Sequence, residues 1–252
     1  MKGWFAIDLW KRVLAGLVVG TLIGLALRYG LGPDRAGEFV TTWFKPVGDA
    51  FINLIRMLVV PLIFVTLVSG VLAMGDPKRL GSLGGRALAM YMGTTVLAIS
   101  FGLLMGTLVQ PGAGFDTSIA NAADLEETRS RLAANAPAGS VGEQLVKTLL
   151  SIIPSNPVDA FARGDVLQII FFAILLGVGI MLAGEAGKPL EKLFNSGSEA
   201  IMKLTLIVME TAPFGVLALM AWVMGDRGLS VLTVLGKMTL AHYTACILHM
   251  LI

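Results

Sequence analysis

The sequence predicts an all-α membrane protein with six transmembrane helices. Two observations carry that expectation. Charged residues make up only 14% of the 252-residue chain against 56% hydrophobic, where an ordinary soluble domain carries roughly 25% charged residues. Long uncharged runs are separated by Gly- and Pro-rich or charged connections, and a helix needs about 20 mostly apolar residues to cross the hydrocarbon.

The first run is Val13 to Leu27. Asp8, Lys11 and Arg12 interrupt the short apolar start before it and no small-residue cleavage site follows, so it reads as a retained anchor rather than a signal peptide. Gly16, Gly20 and Gly24 fall four apart on one helical face, a spacing that permits close helix packing. Packing within the chain is the expectation, with an oligomer contact as the alternative. The second run, Met57 to Met74, extends upstream past Asp49 and Arg56. These two either pair near the interface, or Arg56 reaches it alone along its aliphatic stem. The third run, Ala87 to Val109, follows the basic turn "GDPKRLGSLGGR" and repeats the glycine spacing at Gly102 and Gly106. Neither glycine set follows a strand, so a phosphate loop is not supported.

A long polar loop from Pro111 to Gln144 leads to the fourth segment. There Pro154 and Pro157 break the helix, with Asp159, Arg163 and Asp165 beside the break, and the apolar part resumes from Val166 to Gly184. Proline removes a helical hydrogen bond and clashes with the preceding turn. Broken helices form substrate sites in some transporters, so this break is a first candidate site. The fifth run, Leu204 to Gly225, holds one charge, Glu210, just before Ala212 and Pro213. Glu210 either lines water or satisfies the local break. The sixth, Met238 to Ile252, reaches spanning length only if it begins near Val231 and accepts Lys237. Lysines and arginines divide almost evenly between the two sides, and the basic turn before the third helix favours an inside N-terminus.

The net charge of +2, without a basic run, gives no basis for a nucleic-acid partner. The single cysteine, Cys246, excludes an internal disulfide. No zinc-protease helix, nucleophile elbow or phosphate loop is present, so an enzyme is not expected. Two clusters could hold a cation. Tyr91, Thr94 and Thr95 share a face of the third helix and offer hard oxygen donors, unless the threonines only bond back to their own helix. His242, Cys246 and His249 share a face of the sixth and suit a metal, or are moderately polar residues facing other helices.

The segment "PVGDAFINLIRMLVVP", Pro46 to Pro61, resembles the signature of the dicarboxylate/amino acid:cation symporters, the glutamate transporter family. The third run through "VQPGAG", the broken fourth segment, "APFGVLALMAW" and the sixth run match in order. The resemblance covers nearly the whole chain. It implies the glutamate-transporter-like elevator fold, truncated before the first re-entrant hairpin. Residues 1–75 would be scaffold helices one and two, and 76–110 the third helix, part of a mobile transport domain. Residues 111–144 would be an extracytoplasmic loop, 145–226 scaffold helices four and five, and 227–252 an incomplete sixth helix of the transport domain. It implies a homotrimer in a bacterial inner (plasma) membrane, bound by the lipid bilayer. Such a protein takes up C4-dicarboxylates or acidic amino acids with sodium or protons, without a further cofactor. Tyr91, Thr94 and Thr95 match a tyrosine and two hydroxyl residues of a sodium site whose other donors lie beyond this chain. The substrate-holding hairpins and last two helices would also follow Ile252, so the chain alone is expected not to transport. The alternative is a truncated trimeric scaffold that co-assembles with full-length transporter. The resemblance further places the Pro154–Pro157 break in the scaffold, where it shapes a bend rather than holding substrate.

Overall fold

The computed structural model describes residues 6–75, 77–110, 126, 129–130 and 140–251. Most of the connection expected from Pro111 to Gln144 lies outside them, and its last residues, Val141 to Gln144, belong to a helix instead of a loop. Among the described residues the regular structure is helical. The helices are α1 (Leu9–Leu31), α2 (Pro33–Trp43), α3 (Lys45–Ala73), α4 (Pro77–Val109), α5 (Val141–Ser151), α6 (Pro157–Arg163), α7 (Val166–Leu182), α8 (Lys188–Met209), α9 (Ala212–Arg227) and α10 (Ser230–Met250). A 3-10 turn, Gly184–Gly187, joins α7 to α8.

Helices α1, α3, α10 and the Gly84–Val109 part of α4 are each long and apolar enough to cross a membrane. Gly184–Met209 and Ala212–Arg227 pass only as a pair, interrupted at Glu210 and Thr211. Helix α7 is apolar but has 17 residues, the lower edge of a spanning length. The chain is an integral membrane protein, and among the described residues four helices are of this kind, or five with the interrupted pair.

The described residues divide into two compact units. One gathers those within Met1–Ile52, Gly84–Ile119 and Glu210–Ile252. Its centre is the pairing of α1 with α9, with α2 packed on both. The glycine stripe of α1 makes that pairing. A methyl group added at Gly16, Gly20 or Gly24 would meet the backbone of Pro213, Leu217 or Ala221 closer than 3.0 Å. Without a water-driven hydrophobic effect, such backbone-to-backbone contact is what holds helices together in lipid. Both members of each pair advance by four, so α1 and α9 run parallel. Val40 and Met224 are fully buried where α2 meets α9, and Val40 lies on Gly225. Trp222 Nε1 donates to Thr41 Oγ1 at 3.2 Å, and the Lys45 ammonium lies 5.2 Å from the Trp222 ring centre. The expected repeat of the glycine device at Gly102 and Gly106 is not used among the described residues: an added methyl there meets nothing within 4 Å.

Exposed aromatics mark the two ends of α1. Trp10 is 60% and Tyr29 74% exposed. A rise of about 1.5 Å per residue puts them about 28 Å apart along the axis, close to the roughly 30 Å of hydrocarbon. Aromatic rings at both ends are the usual interfacial anchors.

The other unit gathers the described residues within Asn53–Leu83 and Ala120–Met209. Val68 and Leu72 of α3 bury against Ala173 and Ile180 of α7. Gly177 lets the two helices touch, since a methyl there would lie 2.7 Å from Val71 Cγ1. The Phe64 ring is packed by Phe161 at 4.7 Å, Phe194 at 5.6 Å and Phe172 at 6.1 Å between centroids. Ser69 Oγ donates to Asn195 Oδ1 at 2.6 Å.

Candidate functional site

The break in the fourth segment is built from local backbone chemistry. Ser140 caps α5: its hydroxyl accepts from Glu143 N–H at 3.3 Å, while the Glu143 carboxylate accepts from Ser140 N–H at 3.1 Å. Past Pro154, Asn156 caps α6, its side chain accepting from Val158 N–H at 3.0 Å, and Pro157 takes the first turn, where a missing N–H costs nothing. Gly164 ends α6 at φ 71°, a left-handed turn that glycine adopts freely. Asp165 N–H then reaches back to Ala160 O at 3.0 Å. Gln168 Nε2 of α7 donates to Ser151 O at 3.0 Å, satisfying a carbonyl that the end of α5 leaves free. The three charges close on each other: Arg163 meets Asp159 at 2.6 Å and Asp165 at 3.4 Å, all about half exposed. This is a self-contained bend, and the charges that made it a candidate site are spent within it.

The charge that sequence reasoning underrated is Arg12. It reads as an ordinary basic flank, yet its side chain is only 4% exposed. Its guanidinium donates to the Glu210 carboxylate through Nη1 at 2.5 Å and Nη2 at 3.0 Å, and Nε donates to Ile7 O at 3.0 Å. The two-pronged geometry matches a planar guanidinium to a carboxylate. Glu210 therefore ties the start of α9 to α1, where the sequence leaves open whether it lines water or satisfies the local break. A signal was present, since one carboxylate in an apolar run requires a cation, but Arg28, Arg56 and Arg86 border apolar runs as closely as Arg12 does, so the sequence does not choose among them. At the other end of the pair, Arg28 Nη1 donates to Gly225 O at 3.2 Å and Asp226 O at 2.7 Å, covering carbonyls at the end of α9. Asp49 and Arg56 are both exposed on α3.

Helix α4 carries Tyr91, Thr94 and Thr95 on one face, Tyr91 exposed and Thr95 half-buried. The Thr94 hydroxyl donates to Met90 O at 3.0 Å and Tyr91 O at 3.1 Å, the back-bonding expected of a helical threonine. Its oxygen keeps lone pairs for a cation. Three such oxygens fall short of the roughly six that a hard cation gathers, so a complete site needs donors from elsewhere. On α10, His242 Nε2 lies 3.6 Å from Cys246 Sγ. His249 does not join them. Its ring stands 6.4 Å from Phe101, with Nδ1 buried and without a hydrogen-bond partner among the described residues. Of the three residues that share this face only two come together, and among the described residues no three His, Cys, Asp or Glu side chains gather for a metal.

The model of the sodium:dicarboxylate symporter family matches residues 9–252. The chain is 34% identical over 245 residues to a C4-dicarboxylate transport protein of Bacillus subtilis (strain 168), covering 97% of this chain and 54% of that protein. It is 37% identical to a C4-dicarboxylate transport protein of Geobacter sp. (strain M21), over 97% of this chain and 52% of the relative. It is 36% identical to the proton/glutamate-aspartate symporter of Escherichia coli (strain K12), over 96% and 54%. The chain thus spans about half the length of the curated relatives it matches. With its membrane helices and the match running from α1 through α10, the chain belongs to the sodium:dicarboxylate symporter family.

Proposed function

We propose that this chain is the N-terminal part of a secondary active symporter that carries C4-dicarboxylates or acidic amino acids with sodium ions or protons across a bacterial inner membrane. The observation that carries the reading is the family match over residues 9–252, together with relatives named for C4-dicarboxylate and for proton/glutamate-aspartate transport. The family is one of transporters, not enzymes. Six crossings gain support from parity. Helices α1 and α9 run parallel, so an odd number of crossings separates them. Helices α3 and α4 supply two, and the broken segment from α5 to α7 is the remaining candidate.

The division of labour follows the family resemblance. Helices α1, α3, α5–α7, α8 and α9 form a static trimeric scaffold, against which α4 and α10 move with the substrate-holding parts of the longer protein. The pinning of α1 to α9 at both ends by Arg12 and Arg28 suits a static role. Tyr91, Thr94 and Thr95 supply one side of a sodium site. A second reading is a truncated trimeric scaffold that co-assembles with longer copies.

Proteoliposomes test the first reading. The longer protein containing this sequence takes up labelled succinate or aspartate under a sodium or proton gradient, and residues 1–252 alone do not. No uptake of any such substrate by the longer protein overturns the proposal, and uptake by residues 1–252 overturns its placing of the substrate site. Crosslinking that captures residues 1–252 in mixed trimers with longer copies selects the second reading. Monomers alone reject it.

A further inference from the structure

Contacts from Phe64 with Phe172 to Val71 with Gly177 advance along both helices together. Helices α3 and α7 therefore run parallel and end side by side, at Ala73 and Leu182. Between those ends and the start of α8 lies a cavity of about 390 Å³, within the roughly 300–1,000 Å³ of small-molecule sites. Leu72, Ile180 and Met181 give it an apolar wall, and Glu185, Lys188 and Glu191 a charged rim. Lys188 Nζ is held by Glu185 Oε1 at 2.6 Å, and among the described residues no cation meets Glu191. An apolar wall under a charged rim, at the ends of two membrane helices, suits an amphiphile at the edge of the hydrocarbon.

We propose that this cavity seats one membrane lipid whose headgroup carries both a primary ammonium and a phosphate, an aminophospholipid. Charges then alternate from the Glu191 carboxylate through the lipid ammonium, the lipid phosphate and the Lys188 ammonium to the Glu185 carboxylate. A lysine has three donors, so Lys188 serves the phosphate without leaving Glu185. An acyl chain follows the apolar wall. Charge selects the headgroup. The described rim carries two carboxylates to one ammonium, and two helix C-termini converge here against one N-terminus, which favours a cationic group. An anionic headgroup brings no cation for Glu191. Donors select a second time. A trimethylammonium group has no N–H to give a carboxylate and is held by aromatic cages, and no described residue of the lining is aromatic.

The longer protein containing this sequence, stripped of lipid in detergent, is titrated with phosphatidylethanolamine, phosphatidylcholine or phosphatidylglycerol of the same acyl chains. Native mass spectrometry counts the bound lipid. The first phosphatidylethanolamine is expected to bind at about a tenfold lower concentration than either other lipid. Glu191→Gln is expected to remove that preference, and Glu199→Gln, on the same helix outside the cavity, to keep it. Equal binding of the three lipids by wild type overturns the proposal, as does a preference that survives Glu191→Gln. Soluble phosphoethanolamine that displaces the lipid at the lipid's own concentration overturns it too, because the acyl chain then contributes nothing. If Glu191→Gln does not fold, a photoreactive phosphatidylethanolamine on the wild type decides. Crosslinks to residues 72–75 or 180–191 uphold the site, and crosslinks only elsewhere reject it. The readout is binding without uptake, so it holds or fails separately from the transport reading.

Discussion

Gly20 faces the backbone of Leu217, and a side chain there has no room: an added Cβ would lie 2.9 Å from Leu217 Cα and closer still to its carbonyl oxygen. Gly20→Val is expected to cost about 1–3 kcal/mol, as overpacking of a tight contact does. It should appear as a lowered melting temperature in detergent. Gly30, with nothing within 4 Å, is the control. Gly30→Ala is expected to be neutral, or to stabilise by up to about 1 kcal/mol through helix propensity. A different logic applies to Arg12 and Glu210. Removing either partner strands the other at the α1–α9 contact, and a stranded ion is worse than no ion. Arg12→Met and Glu210→Met are each expected to lower the melting temperature more than the double variant does. A double variant less stable than both singles would show that the pair does not act as a unit. Sequence spacing alone revealed the glycine stripe, since a period of four is a local signal. It revealed neither partner. Gly102 and Gly106 have the same spacing as the α1 stripe and no neighbour among the described residues, so spacing reports capacity for contact and not contact.

Among the elements, the break at α6 is the most legible from sequence. Proline at 154 and 157 announces the break, and the family resemblance already places it in the scaffold rather than at the substrate. The structure adds the means: an asparagine cap, a glycine in the left-handed region and a closed charge triad. Asn156→Ala is expected to cost about 1 kcal/mol through loss of the cap. Gly164→Ala is expected to cost roughly 1–2 kcal/mol because φ stays positive. Thermal unfolding checks both. A cost near zero at Gly164 would mean that the chain re-forms this turn without strain. The interruption at Glu210 was less legible. Ala212–Pro213 signals a helix start, but the reason the chain tolerates a carboxylate there is Arg12, separated by 198 residues. No window of sequence a few turns wide contains both.

At the scale of the whole molecule, the parallel course of α1 and α9 is a statement about sides of the membrane. On a Cys246→Ser background, cysteines at Gly30 and Gly228 are expected to be labelled from the same side of sealed vesicles, and one at Asp8 from the opposite side. Labelling of Gly30 and Gly228 from opposite sides would break the parity argument for six crossings. The membrane class and the broad order of the helices were legible because hydropathy acts over single segments. What was hidden is which segments touch, because in lipid every helix is apolar and the choice of partner rests on small shape differences.

The separation between Arg12 and Glu210 also sets an order of events at the ribosome. Synthesis at about 5–20 residues per second makes Glu210 roughly 10–40 s after Arg12. Throughout that interval α1, with α2 as its early neighbour, presents Arg12 and its strip of glycine backbone without α9. The nascent first helix must therefore wait at the insertion site or in the bilayer while the chain from α3 to α8 emerges. Its contact with α9 joins parts of the chain made 198 residues apart.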